Sequence, residues 1–223
     1  MTPMLSFVVL LMLAINATTP PAADSTEPTT PTTPTEPATP TAPLARIRNA
    51  DEWVMDYQVG PLRIFKDGET GELFWYSTYT IVNRTKRERS IAPQWELLDE
   101  EGRLFSAGEG VPRRVQRAVQ ALLANPLHED QSALIGDIMT GEENAKSGVA
   151  IWKAGPEVKR FSILVTGLSN IKKPVVDPTS KKPIVLKKTW RVDYQMNCDR
   201  VALIGEVPLA PAGNEQNPRW IMR

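Results

Sequence analysis

The chain is poor in the residues that most often carry chemistry. It has one cysteine and one histidine in 223 residues. Cys198 alone excludes any disulfide within the chain. His128 alone excludes the multi-histidine ligand sets of the common zinc sites. There is no glycine loop of the phosphate-cradling type and no Gly-x-Ser-x-Gly elbow. No apolar run reaches the roughly 20 residues that a bilayer-spanning helix takes. Net charge is zero, yet every Lys and Arg follows Ala45 while Asp24, Glu27 and Glu36 precede it. The remainder therefore carries 26 basic against 23 acidic residues, a surplus too mild to point to nucleic acid.

What is present divides into three parts. In residues 1–17, Leu5–Ile15 (LSFVVLLMLAI) has the size of a secretory signal core, about 7–15 apolar residues. Small residues before Ala17 suit cleavage there, although Ile15 is an unusual third residue back and Met1–Met4 carries no Lys or Arg. The segment reads as a signal peptide or short anchor, and the expected location of the rest is exported: periplasmic, cell-surface or secreted. Residues 18–45 form a linker. Thr18–Pro43 holds 10 Thr and 8 Pro in 26 residues, which forbids helix and sheet ladder alike. Extended as polyproline II it would span on the order of 80 Å, a stalk or a disordered leader. Residues 46–223 are the globular part, with length enough for one core without disulfides. Cys198 is expected there as a small buried hydrophobe.

The centre of that part is Leu73–Asn83 (LFWYSTYTIVN), the longest run of aromatic and β-branched residues. Alternation puts Trp75, Tyr79 and Ile81 on one face and Phe74, Tyr76 and Val82 on the other. A strand apolar on both faces belongs inside a covered sheet. Trp53–Gln58 reads as a half-buried strand; after the break at Gly60-Pro61, Leu62–Phe65 pairs with the central strand as a hairpin across Lys66–Glu72. Asn83-Arg84-Thr85 matches a glycosylation sequon, but Asn at a turn accounts for it as well. Arg84–Arg89 reads as a solvated basic loop. Pro93–Leu98 and Arg103–Ser106 form a second hairpin over Asp99–Gly102.

Gly108–Asn125 is the one clear helix, near residues 112–124, with Pro112 at its first position and a stripe of Val115, Ala118, Val119 and Leu122. Leu127–Ser147 leaves helix and strand open, apart from a turn at Gly141–Asn144. Gly148–Trp152, Phe161–Leu168 and Ile184–Met196 are strands, the last two paired across a loop carrying Pro174, Pro178 and Pro183. Val201–Ile204 and Trp220–Met222 either dock or fray. The fold class is mainly β, a sandwich of about seven or eight strands with one inserted helix.

Two basic sets are candidate partner-binding residues. Lys172, Lys173, Lys181, Lys182, Lys187 and Lys188 share one hairpin. They guard an exposed sheet edge or meet an anionic partner such as an acidic polysaccharide or lipid headgroup. Arg113, Arg114 and Arg117 share the polar helix face, where plain solvation is the ordinary role. His128-Glu129-Asp130 supplies an alternative, a small exported hydrolase or metal enzyme, but adjacent residues do not converge on one atom. Asp137, Glu142 and Glu143 lack the spacing of a calcium loop. No catalytic residue, metal ligand or cofactor is expected, and the partner is an unknown protein or an anionic envelope component.

The strand end Thr80-Ile81-Val82-Asn83-Arg84-Thr85, the hairpin Glu96–Gly102, Gly141-Glu142 and Gly148–Trp152 together resemble the telokin-like immunoglobulin-fold domains of exported bacterial proteins. The resemblance covers Trp53–Met196 and departs from the family by inserting a helix at Pro112–Ala124. It implies an immunoglobulin-like fold in an exported protein and carries over no catalytic set. The expected function is a non-enzymatic binding or structural module of the cell envelope.

Overall fold

The structure is a computed structural model and describes residues 51–125, 128–129, 134–154, 159–205, 207–213 and 216–223. The expected signal segment (1–17) and linker (18–45) lie outside the described residues, as does the start of the globular part. In chain order the first strands are β1 (Asp56–Lys66), β2 (Leu73–Asn83), β3 (Arg89–Ile91), β4 (Gln94–Asp99) and β5 (Leu104–Ser106). Helix α1 (Arg113–Leu123) follows. Then come β6 (His128–Glu129), β7 (Gly136–Ile138), β8 (Gly141–Lys153), β9 (Arg160–Thr166), β10 (Lys172–Val176), β11 (Pro183–Gln195) and β12 (Arg219–Met222). The protein is mainly β. Among the described residues no helix is long and apolar enough to cross a membrane.

One sheet runs β1-β2-β8-β6, antiparallel except for the short parallel β6–β8 pair. The expected hairpin forms, with Ile64 opposite Trp75, and the stretch before the break joins the same ladder, Tyr57 opposite Ile81. At Gly60-Pro61 the register shifts between Val59 and Leu62, a bulge where the proline cannot donate to the ladder. Gly60 is required there, because a Cβ would come within 2.1 Å of Thr78 Oγ1. A second sheet contains β4, β5, β9, β10, β11 and β12, and β3 pairs with β7 apart from both.

The two sheets share one apolar core. Trp75, Tyr79, Ile81, Ala150 and Trp152 from the first meet Trp95, Phe161, Ile163, Val165, Val192 and Tyr194 from the second. Tyr79 stacks on Trp95 with ring centroids 4.3 Å apart, and Trp75 meets Phe161 at 5.3 Å. Such pairs each add about 0.5–1.5 kcal/mol beyond the area they bury. Trp95 Nε1 donates to the Tyr57 hydroxyl at 3.1 Å, so the buried indole keeps a partner. Burial pushes the Tyr57 and Tyr194 hydroxyls upward, keeping both neutral. The opposite face of the first sheet is covered too. Phe74, Tyr76, Val149 and Ile151 pack there against Val111, Val115 and Val119. Both faces of β2 are therefore buried, each by the residues its alternation assigns.

Several local expectations need correction. The buried stripe follows i, i+4, i+8, i+12 through Val111, Val115, Val119 and Leu123, whereas Leu122 is 57% exposed. Pro112 is the N-cap, in extended conformation, and the first helical residue is Arg113. Gly141–Asn144 is not a turn but the start of the thirteen-residue β8, whose polar beginning hides it in sequence. The described residues form twelve strands instead of seven or eight, the excess being short pieces such as β3, β6, β7 and β12. Cys198 is exposed.

The Arg84–Arg89 loop is not merely solvated. Arg84 bonds Asp56 at 2.8 Å and Glu142 at 2.7 Å, and Arg89 forks onto Asp51. The Arg89 hydrogen bond, with Arg87 also beside the carboxylate, holds the Asp51 carboxyl below its usual range. At the start of the loop Asn83 is fully buried. Its Nδ2 donates to Arg87 O at 3.0 Å and Ile138 O at 2.8 Å, and its Oδ1 accepts from Thr85 N and Oγ1. The chain end docks through Trp220, 5.1 Å from Trp190. Asn217 bonds both the N–H and the carbonyl of Asp193.

Candidate binding surface

The lysine hairpin begins where β11 outruns its pairing with β9. Trp190 lies opposite Val165 in β9, but further back Lys187 lies opposite Lys172, Val185 opposite Pro174 and Pro183 opposite Val176 in β10. On its other side Lys187 exchanges both backbone hydrogen bonds with Arg223. Strand formation here is driven by β-branched Val175, Val176, Ile184 and Val185, which overrides Pro174 at the sheet's margin.

The turn that closes this arm is the turn that closes β1–β2, built a second time. Asp67 N donates to Glu72 O and Gly71 N to Asp67 O, both at 2.8 Å. Asp177 N donates to Lys182 O and Lys181 N to Asp177 O, both at 2.9 Å. In each turn the aspartate side chain accepts from the backbone two residues on and from a hydroxyl three residues on, Thr70 or Ser180. In each, the fifth residue has positive φ: Gly71 at 73° and Lys181 at 58°. Ser180 and the neighbouring amides hold the Asp177 carboxyl below its usual range. Asp177 is the arm's one acid, and it is committed to the turn.

Cross-strand partners share a face, so the six lysines do not form one patch. Lys172 and Lys187 sit directly opposite each other. Lys173 is opposite Leu186, on the other face. Lys181 and Lys182 are in the turn. Lys188 lies over the Trp220 ring, 5.6 Å from its centroid, a cation–π contact that engages it. Among the described residues none of the six enters an ion pair, whereas Lys153 pairs with Glu72 at 2.8 Å. The arm also leaves Val185 58%, Val176 50% and Ile184 41% exposed.

The helix arginines go elsewhere. Arg114 is held by Asp67 at 2.6 Å and Glu69 at 3.2 Å, pinning α1 to the β1–β2 turn. That hydrogen bond, with a second from Thr70, lowers the Asp67 carboxyl to about 2. Arg113 and Arg117 are exposed without an ion pair among the described residues. They ride on the layer covering the first sheet, while the arm extends the second, so the two basic sets are not one surface.

His128 lies in β6 opposite Ser147, its Nε2 3.2 Å from Asn125 Nδ2, and partial burial lowers its pKa. Asp130 is outside the described residues. Among the described residues no three His, Cys, Asp or Glu side chains gather as metal ligands. Glu142 is tied to Arg84. A cleft of about 800 Å³ escaped sequence reasoning: Glu100, Lys159, Arg160, Met196, Cys198 and Arg200 line it. These residues come from three separate stretches, and no local pattern joins them. No family model, curated protein or solved structure matches the chain.

Proposed function

We propose that the chain is a non-enzymatic binding module of the cell envelope. In this reading it is exported, carried on the extended Thr/Pro-rich linker, and built as an immunoglobulin-like sandwich with a helix laid on one sheet. Two facing sheets made largely of antiparallel hairpins support the sandwich, while the helix and the parallel β6–β8 pair depart from a plain immunoglobulin pattern. The N-terminal apolar run and the linker composition support export.

The module engages an anionic envelope component through the β10–β11 arm. One observation carries this: Lys172 and Lys187 face each other across the arm. Like charges directly opposite on a sheet are destabilising, and an anion between them reverses the sign. Edge protection accounts for lysines on the outer strand β10. It does not account for Lys187, whose backbone is already paired on both sides. Replacing Lys181, Lys182, Lys187 and Lys188 together by Gln is expected to lower association with the host envelope fraction at low salt, measured by fractionation. Unchanged association would reduce these charges to edge guards.

A further inference from the structure

We propose that the arm's anionic partner is the surface of a lipid bilayer carrying acidic headgroups, met by the Pro174/Val185 face of the arm. This rests on the binding role of the arm argued above. Along that face the register gives, in order, Lys172 opposite Lys187, Pro174 opposite Val185, and Val176 opposite Pro183, with Lys181 and Lys182 beyond in the turn. An apolar quartet is thus bracketed by cations at both ends. From Lys187 to Pro183 the strand advances about 13 Å.

That layout fits an interface where apolar groups sink below the headgroups and lysine stems reach back to phosphates. Val185 and Val176 are the more exposed large apolar residues of the arm, which selects this face over the one carrying Ile184. Two of the quartet are prolines without an amide N–H, so lipid covers fewer donors than on an ordinary strand. A polysaccharide would use the lysines and leave both valines in water, gaining nothing from them. The neighbouring arginines of the same sheet are already engaged in ion pairs. Arg191 and Arg219 pair with Asp193, and Arg223 pairs with Glu96. The lysines remain for a partner.

The test uses the full chain, so the N-terminal apolar run is common to every protein compared. Wild type, V176S/V185S and K172Q/K181Q/K182Q/K187Q are titrated against phosphatidylcholine vesicles with and without phosphatidylglycerol, and against dextran sulfate. Thermal melts check that each variant is folded. Wild type is expected to prefer the phosphatidylglycerol vesicles, and the lysine variant to bind them weaker by on the order of a hundredfold. The valine variant should lose about tenfold on those vesicles. It should bind dextran sulfate like wild type. In a C198S background, V185C labelled with an environment-sensitive dye should shift to the blue on phosphatidylglycerol vesicles only.

If the valine variant binds vesicles as wild type does and the dye does not shift, the lipid assignment is overturned. The binding role survives that result if the lysine variant still loses dextran sulfate. Loss of envelope association by the lysine variant, with no wild-type preference for phosphatidylglycerol, overturns the lipid in favour of a protein partner. A lysine variant equal to wild type on every probe and on the envelope fraction overturns both.

Discussion

The hairpins β1–β2 and β10–β11 close with the same six-residue turn and then meet opposite fates. In the first, the turn carries Gly71 where positive φ is needed, its aspartate is gripped by Arg114 from the helix, and the strands behind it are covered on both faces. In the second, the same place holds Lys181, the aspartate is gripped only by its own turn, and Val176 and Val185 stand in solvent. Local chain chemistry sets the turn. Whether the hairpin becomes core or arm depends on what the rest of the chain brings to its faces. Area removed from water, at about 25 cal/mol per Å², stabilises the first hairpin. The second gains little from burial and is left available for something outside the chain.

The contrast can be broken at its strongest point first. Trp75→Ala should cost about 3–5 kcal/mol, since it opens a hole between Trp152 and Phe161 in the shared core. Denaturant melts read this, and a loss below 1 kcal/mol would mean the two sheets do not depend on each other. The same melts should show V176S/V185S close to wild type, within about 0.5 kcal/mol.

The turns offer a finer comparison. Exchanging their fifth residues sharpens it: Gly71→Lys should cost about 1 kcal/mol, and Lys181→Gly should recover a similar amount for the arm. Because an uncovered hairpin opens locally, the gain at Lys181 should be read from amide exchange in β10 and β11 more than from the global melt. Equal, negligible effects at both sites would show that the positive φ carries no strain in this turn.

The last comparison is electrostatic, complete at neutral pH and removed by acid. The Asp67 carboxyl sits at about 2, below the roughly 3.9 of an unfolded chain. The depressed value means the pair's contribution is complete above the unfolded value and is lost as pH falls through about 2. Melting temperature followed from pH 5 downward should therefore drop in wild type, and drop less in Asp67→Asn. Asp177 lacks a charged partner, so Asp177→Asn should flatten the acid limb less than Asp67→Asn does.

The parts legible in sequence were those whose signal is local and apolar. The alternation in Leu73–Asn83 shows both faces of β2 because its aromatic residues fall on each, while the buried polar Ser77 and Asn83 keep hydrogen-bond partners of their own. The pairing of Ile184–Met196 with Phe161–Leu168 was legible from a different pattern, apolar and polar residues alternating beside an almost wholly apolar run. The beginning of β8 was not, since Gly141–Ser147 is polar and is held by pairing with β2. The helix buries Val115 and Val119 as expected, but its stripe ends at Leu123 instead of Leu122. Leu122 and Leu123 are both apolar, and only the underlying sheet chooses between them.

Charge was the least legible feature. Arg114 and Asp67 are 47 residues apart, so nothing local marks Arg114 as a brace. The arm's lysines are expected around the loop of a Phe161–Leu168/Ile184–Met196 hairpin, but that loop contains the strand β10 and the Asp177 turn. Their division between faces needed the register, which in turn depends on a strand interrupted by Pro174. The second copy of the Asp67 turn was hidden because Lys181 stands where a glycine would have announced it.

Asn83 has a practical consequence for producing the protein. Its amide nitrogen already serves two carbonyls in a sealed site, so an oligosaccharyl-transferring enzyme can reach it only before the chain folds. A glycan installed at that moment would remove one of those hydrogen bonds and wedge a sugar beneath Ile138. Expression in a eukaryotic secretory pathway should therefore divide the product into an unmodified native pool and a glycosylated pool that never matures.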